Sequence, residues 1–178
     1  TDSSVDAIYL PHLDFSTSLP IDASLVNEIT GDSGMVYHVY RGMNNKFTGI
    51  EDANLTVTRD LDVFMANLLD AETTGIVTGS ITSETVEILK TLTGENAYNI
   101  TINTSDATST TAADLNAINA LTSDTVNLTN VTALAASSLS DLDTLGAAIT
   151  NNEFSNDTGL TTLAISDTTI DATALAST

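Results

Sequence analysis

Apolar and polar side chains alternate with a period of two in four stretches: GIVTGSI (Gly75–Ile81), YNITINT (Tyr98–Thr104), TVNLTNV (Thr125–Val131) and LTTLAIS (Leu160–Ser166). This period, carried by β-branched residues, predicts strands with one face turned inward. On that reading Tyr98, Ile100 and Ile102 share one face, and Val126, Leu128 and Asn130 share another. A second pattern lies between the strands. VEILKTL (Val86, Leu89, Leu92), LNAINAL (Leu115, Ile118, Leu121) and LSDLDTL (Leu139, Leu142, Leu145) place an apolar residue at every third position. That is one stripe of a short helix of about ten residues. Hydroxyl residues precede each (Ser83, Thr110-Thr111, Ser137-Ser138) and can accept the free N–H groups of a first helical turn. A further helix is expected over DLDVFMANLLD (Asp60–Asp70), and GMVYHVYRG (Gly34–Gly42) reads as a strand with a glycine at each end.

Strand and helix thus alternate through short connections, which favours parallel strands. The three helical skeletons start 29 and 24 residues apart, the mark of an internal repeat. A longer echo links TINTSDATSTTAADL (Thr101–Leu115) to LAISDTTIDATAL (Leu163–Leu175), with their Ser-Asp pairs 61 residues apart. The second copy reads as the opening of one more repeat. The expected fold is a mixed α/β repeat, a parallel β-solenoid-like stack of short strands with short helices, over residues 51–178. Residues 1–50 read as a non-repeat, β-containing cap or assembly segment. They hold both histidines, both prolines and three of the four tyrosines. An all-β right-handed parallel β-helix is the alternative.

TTAADLNAINALT (Thr110–Thr122) resembles the Thr-Ala-Ala-Asp/Glu-Leu-Asn repeats of phage tail-fibre proteins. The fuller run from Tyr98 to Leu134 resembles tandem repeats in very large secreted or surface proteins of marine cyanobacteria. The resemblance spans about residues 74–178 and implies extracellular structural or adhesive work. That family pattern places a glycine after the helix; Gly94 fits it, whereas Ser123 stands there in the next unit.

Composition narrows the class further. At 42% hydrophobic, the chain is too apolar for disorder by composition. Only 4% is aromatic and tryptophan is absent, so the core has to come from Leu, Ile, Val and Ala. Net charge is −20, with Arg41, Lys46, Arg59 and Lys90 the only basic residues and none after Lys90. Such a surface excludes nucleic acid and anionic membranes as expected partners, and its self-repulsion points to a salty, open setting. No apolar run is long enough to span a bilayer, so no membrane insertion is expected. The opening TDSSVDAIYL, without methionine, is expected of a processed form or of a piece of a longer chain. Cysteine is absent, which removes disulfides and thiolate metal sites.

Candidate chemistry is sparse. Gly31–Gly34 spells GDSG, the four residues around the nucleophile of trypsin-like proteases, but the neighbouring residues do not continue that motif. A turn between two strands explains it at once. His12 and His38 with Asp14 would be the only zinc set. Paired carboxylates of a glycosidase could be drawn from Asp141 with Asp143 or Asp167 with Asp171, yet i,i+2 side chains on a helix point apart. Calcium is the better candidate, because Asp, Asn and Thr oxygens suit a hard cation. Its ligands would come from Asp106, Asp124, Asp141, Asp143, Asp157, Asp167 and Asp171. Six Asn-x-Ser/Thr sequons (Asn54, Asn99, Asn103, Asn127, Asn130, Asn156) would suit a secreted chain, four of them in predicted strands. The expected function is an extracellular or cell-surface structural or adhesive protein, not an enzyme, that polymerises with its own copies into a filament, sheath or layer. The alternative is a carbohydrate-binding or carbohydrate-acting module of a secreted protein or of a virion fibre. In that case glycans or a host surface would be the partner, and Tyr9, Tyr37 and Tyr40 the stacking platform.

Overall fold

A computed structural model of the chain describes residues 3–14, 19–42 and 46–169. In chain order the elements are β1 (Ser4–Asp6), α1 (Leu10–Asp14), β2 (Ile21–Asp22), β3 (Glu28–Gly31), α2 (Ser33–Tyr37) with a π-helical turn (His38–Gly42), and β4 (Phe47–Thr48). Then come β5 (Asn54–Asp60), α3 (Val63–Asp70), β6 (Val77–Ile81), α4 (Val86–Leu89) and β7 (Ala97–Thr101). The chain continues through α5 (Ala112–Asn119), β8 (Val126–Asn127), β9 (Ala133–Ser137), α6 (Leu139–Thr150), β10 (Phe154–Ser155) and β11 (Thr162–Ile165). The protein is therefore mixed α/β, and its helices set aside the all-β alternative.

Seven strands form one sheet in the order β1-β3-β5-β6-β7-β8-β10, and every pair in it is parallel. Partners in register lie from 19 residues apart (Gly79 and Tyr98) to 28 (Val126 and Phe154). A parallel neighbour needs a crossover connection, and the intervening helices and turns supply it. Two shorter parallel ladders, β2 with β4 and β9 with β11, join the same neighbouring segments. The sheet runs across Ile50, since β3 pairs with β5 over four residues.

Alternation decides which face is buried. Ile29, Leu55, Val77, Ile81, Tyr98 and Ile100 turn inward and are essentially fully buried. Thr78 and Ser80 on the opposite face are exposed. Parallel sheets are usually covered on both faces and read as continuous apolar runs; this one has an open polar face, hence the period of two. The helices cover the inner face. α2 packs against α3, α4 against α5, and α5 against α6. Val86 and Leu89 of α4, Leu115 and Ile118 of α5 and Leu145 of α6 join the same core. Each such side chain contributes about 1.5–3 kcal/mol when fully buried.

Two local expectations are corrected. Gly34–Gly42 is helical, not a strand: Asp32 accepts the Met35 N–H at 2.9 Å and starts α2, and Val36 and Val39 are buried at a helical spacing of three. GDSG accordingly joins a strand to a helix instead of turning between two strands. Gly31 ends β3 and Asp32 is the N-cap. Elsewhere the limits move. α4 is one turn, α6 has 12 residues, and β8 stops at Asn127, so that Leu128 and Val131 are buried but Asn130 is not.

Candidate functional site

Two of the seven aspartates singled out in the sequence, Asp106 and Asp167, serve the junctions between neighbouring segments. Asp106 accepts the Val86 N–H at 3.2 Å, the first residue of α4, from the segment that follows it. Asp167 accepts the Leu139 N–H at 2.7 Å, the first residue of α6, in the same way. Between them Ser137 receives the Ala112 N–H of α5 at 2.9 Å. The Ser-Asp echo therefore marks one device, a side chain that satisfies the helix start of the preceding segment. Asp141 accepts from the Ser138 hydroxyl at 2.6 Å inside its own helix start, and Asp143 is exposed. The backbone carbonyl of Asp157 receives the Leu160 N–H at 2.9 Å. Asp171 lies outside the described residues.

Asparagine makes a second set of links. Asn67 and Asn116, each the fifth residue of its helix, donate to the Thr91 and Asp141 carbonyls of the next segment at 2.8 and 2.9 Å. Asn103 and Asn130 donate back to Ser83 and Ile102 at 2.8 Å. Among the sequon residues, Asn99, Asn103, Asn130 and Asn156 all use the Nδ2 that a glycan would take. Buried Asn96 donates to Asp70 and accepts from Val77 N–H, both at 2.8 Å. The Lys90 ammonium bridges Glu87 and Asp114 at 2.8 and 2.9 Å. The hydrogen bonds that its ammonium donates to Asp114 and Glu87 raise Lys90 above its ordinary value. Partial burial works to raise Asp114, but hydrogen bonds from Lys90 and Thr111 outweigh it and leave its carboxyl below the usual range.

Asp124 and Glu153 meet in a cleft of about 300 Å³, lined also by Asn119, Thr122, Ser123, Thr125 and Asn152. Asn119 donates to Glu153 at 2.6 Å, and Asp124 accepts the Thr125 N–H at 2.7 Å. Every residue that lines the cleft is of a polar type, and it lies where the loop after α5 meets the loop after α6. Among the described residues no three of His, Asp and Glu come together to hold a metal ion. His12 and His38 are exposed on separate elements, and the Asp14 side chain lies outside the described part. The three tyrosines do not form a platform: Tyr9 is exposed, while Tyr37 and Tyr40 pack on the core. The Tyr40 hydroxyl donates to the Ile50 carbonyl at 2.9 Å, and burial pushes it up to about 12.

The ends of the sheet are the remaining candidates. Among the described residues β1 has a strand neighbour on one side only, as do β10 and β11. Six of the nine large hydrophobic side chains exposed among the described residues (Ile8, Tyr9, Leu19, Leu25, Leu163 and Ile165) belong to the first or last segments. No helix among the described residues is long and apolar enough to cross a membrane. Comparison with protein-family models, with curated proteins and with solved structures finds no match to this chain.

Proposed function

We propose that the chain is a structural or adhesive subunit of an extracellular assembly, a filament, sheath or surface layer, with no catalytic role. Its segments are read as layers of a solenoid-like stack, each touching its neighbours. The observation that supports this reading is the pair of unlike strand edges among the described residues, β1 at one side and β10 with β11 at the other. Exposed strand edges invite pairing with another chain. Two unlike ends on one molecule make a heterologous contact, which propagates into a filament unless its rotation closes a ring. The resemblance of residues 74–178 to repeats of secreted and tail-fibre proteins supports the same setting, with a virion as the alternative. So does the charge of −20, which disfavours nucleic acid and suits a saline exterior. Negative-stain microscopy and light scattering of the purified chain in about 0.5 M salt test it, where the Debye length is only a few ångströms. Rods or high-mass polymers are expected. A strictly monomeric chain at every salt concentration overturns it.

A carbohydrate-binding module is the second reading, favoured by the polar cleft around Asp124 and Glu153. It predicts a monomer that binds a glycan array and loses that binding on Asp124→Ala.

A further inference from the structure

Six asparagines head an Asn-x-Ser/Thr sequence, the acceptor of N-linked sugar, and the fold treats them unequally. Asn99, Asn103, Asn127 and Asn130 are only partly exposed. The side-chain amides of Asn103 and Asn130 face backbone carbonyls of another segment at 2.8 Å, and that of Asn99 faces the Thr125 hydroxyl at 3.3 Å. Asn127 lies in β8 between Thr101 of β7 and Ser155 of β10, and its side-chain carbonyl receives the Asn156 amide at 3.1 Å. Asn156 is exposed, but that bond occupies its amide and its backbone is left-handed, with φ 56°. A sugar on any of these five meets a contact between segments or a half-buried site.

Asn54 is different. It opens β5 with its side chain exposed, while the next residue, Leu55, is fully buried. Its side-chain carbonyl accepts the Ile76 N–H at 2.9 Å, which fixes the plane of the amide. Its Nδ2 has no partner among the described residues. N-linkage replaces a hydrogen on that nitrogen and leaves the bonded oxygen as it is. Exposed Asp52 and Ile76 border the position, so a bulky substituent there has open solvent to enter.

We infer that Asn54 is the residue of this chain that carries an N-linked oligosaccharide. This rests on the extracellular reading above and adds a modification to it. In the transfer, the Asn54 Nδ2 bonds to the anomeric carbon of a lipid-diphosphate-linked oligosaccharide. The bond from that carbon to the diphosphate oxygen breaks, the lipid diphosphate leaves with the electron pair, and the amide gives one proton to a base of the transferase. Copies sugared at the other five sites fold less stably, so the folded, secreted protein bears its glycan at Asn54.

The placing of the basic residues makes the test direct. Trypsin releases residues 47–59, which hold Asn54, and leaves residues 91–178, which hold the other five sequons, in one piece. The full chain is secreted from a cell that makes lipid-linked oligosaccharide, purified folded, then denatured, digested and read by mass spectrometry. Sugar mass is expected on residues 47–59 and none on residues 91–178. Asn54→Gln and Thr56→Val, which each destroy the acceptor sequence, are expected to lose that mass entirely while keeping the circular dichroism of the parent. A bare 47–59 fragment from the parent overturns the assignment, as does sugar on residues 91–178 of the folded protein. Either result leaves self-assembly standing, since microscopy reads that separately.

Discussion

Side chains that alternate in type along the chain do different work according to where their hydrogen bonds end. Lys90 is the last basic residue, and its ammonium ties α4 to Asp114 of α5. Asp114 also closes a capping box with Thr111, so it satisfies a helix start and a cation at once. Because Asp114 titrates below its ordinary 3.8 in the folded chain, the stability it contributes is present above that value and is lost as pH falls through the folded one. Lys90 is raised, so its share is present below 10.5 and is lost only as pH rises beyond that. Lys90→Gln is therefore expected to lower the melting temperature at pH 7. Its deficit should shrink as pH falls from about 4 to 2, where the carboxylate of the parent is also neutralised. A deficit that stays constant over that range would show that the ion pair contributes nothing. Gly94 shows the other constraint at this scale. Its φ of 75° is one that a side chain rarely adopts, and a Cβ there would strike the Asp70 carboxylate. Ser123 does not share that conformation; the left-handed residue after α6 is Asn152.

Helix starts here are satisfied partly by the next segment, which makes each element depend on its neighbour. α4 has only four residues, too short to hold by propensity. Its first N–H is held by Asp106, and Val86 and Leu89 are buried against the shared core. Asp106→Ala and Asp167→Ala are each expected to cost about 1 kcal/mol by urea unfolding, the usual worth of a capping side chain. Asp106→Asn, which keeps an acceptor, is expected to recover most of the loss. If alanine and asparagine cost the same, the Val86 contact is not a cap. Sequence pattern showed the strands at Val77–Ile81 and Ala97–Thr101 and the three helical stripes. It also marked the Ser-Asp echo, but as a repeat boundary instead of a cap. Ser137 was read as a start signal for its own helix, not for α5; Asn67 and Asn116 passed unnoticed, although aligning the helices by their first residues would have paired them.

For the molecule as a whole, the balance lies between a continuous aliphatic core and 24 acidic side chains with four basic ones. Repulsion among exposed carboxylates is screened once the Debye length falls from about 30 Å at 0.01 M salt to about 8 Å at 0.15 M. The melting temperature is expected to rise over that range by about 2–4 °C for each kcal/mol of repulsion relieved. At constant ionic strength, millimolar calcium is expected to add no more than magnesium does, since no three of the described carboxylates come together around one point. A rise with calcium alone, abolished by Asp124→Ala, would instead place an ordered ion in that cleft. The cleft was not legible beforehand, because Asp124 and Glu153 come from loops that adjoin only once β8 and β10 pair.

Periodicity in the sequence determined the alternation of strands and helices, the parallel expectation and the aliphatic make-up of the core. These are local or compositional properties, set by which side chains can share a face. It misjudged Gly34–Gly42, where β-branched and aromatic residues suggest a strand but a capping Asp32 and the buried pair Val36 and Val39 make a helix. Only the tertiary structure decided that β1 and β3 extend the same sheet, that the aspartates reach across junctions, and that Leu163 and Ile165 stay in solvent. Each of these depends on which segments become neighbours, and neighbours 19 to 28 residues apart leave no mark in a window one strand long.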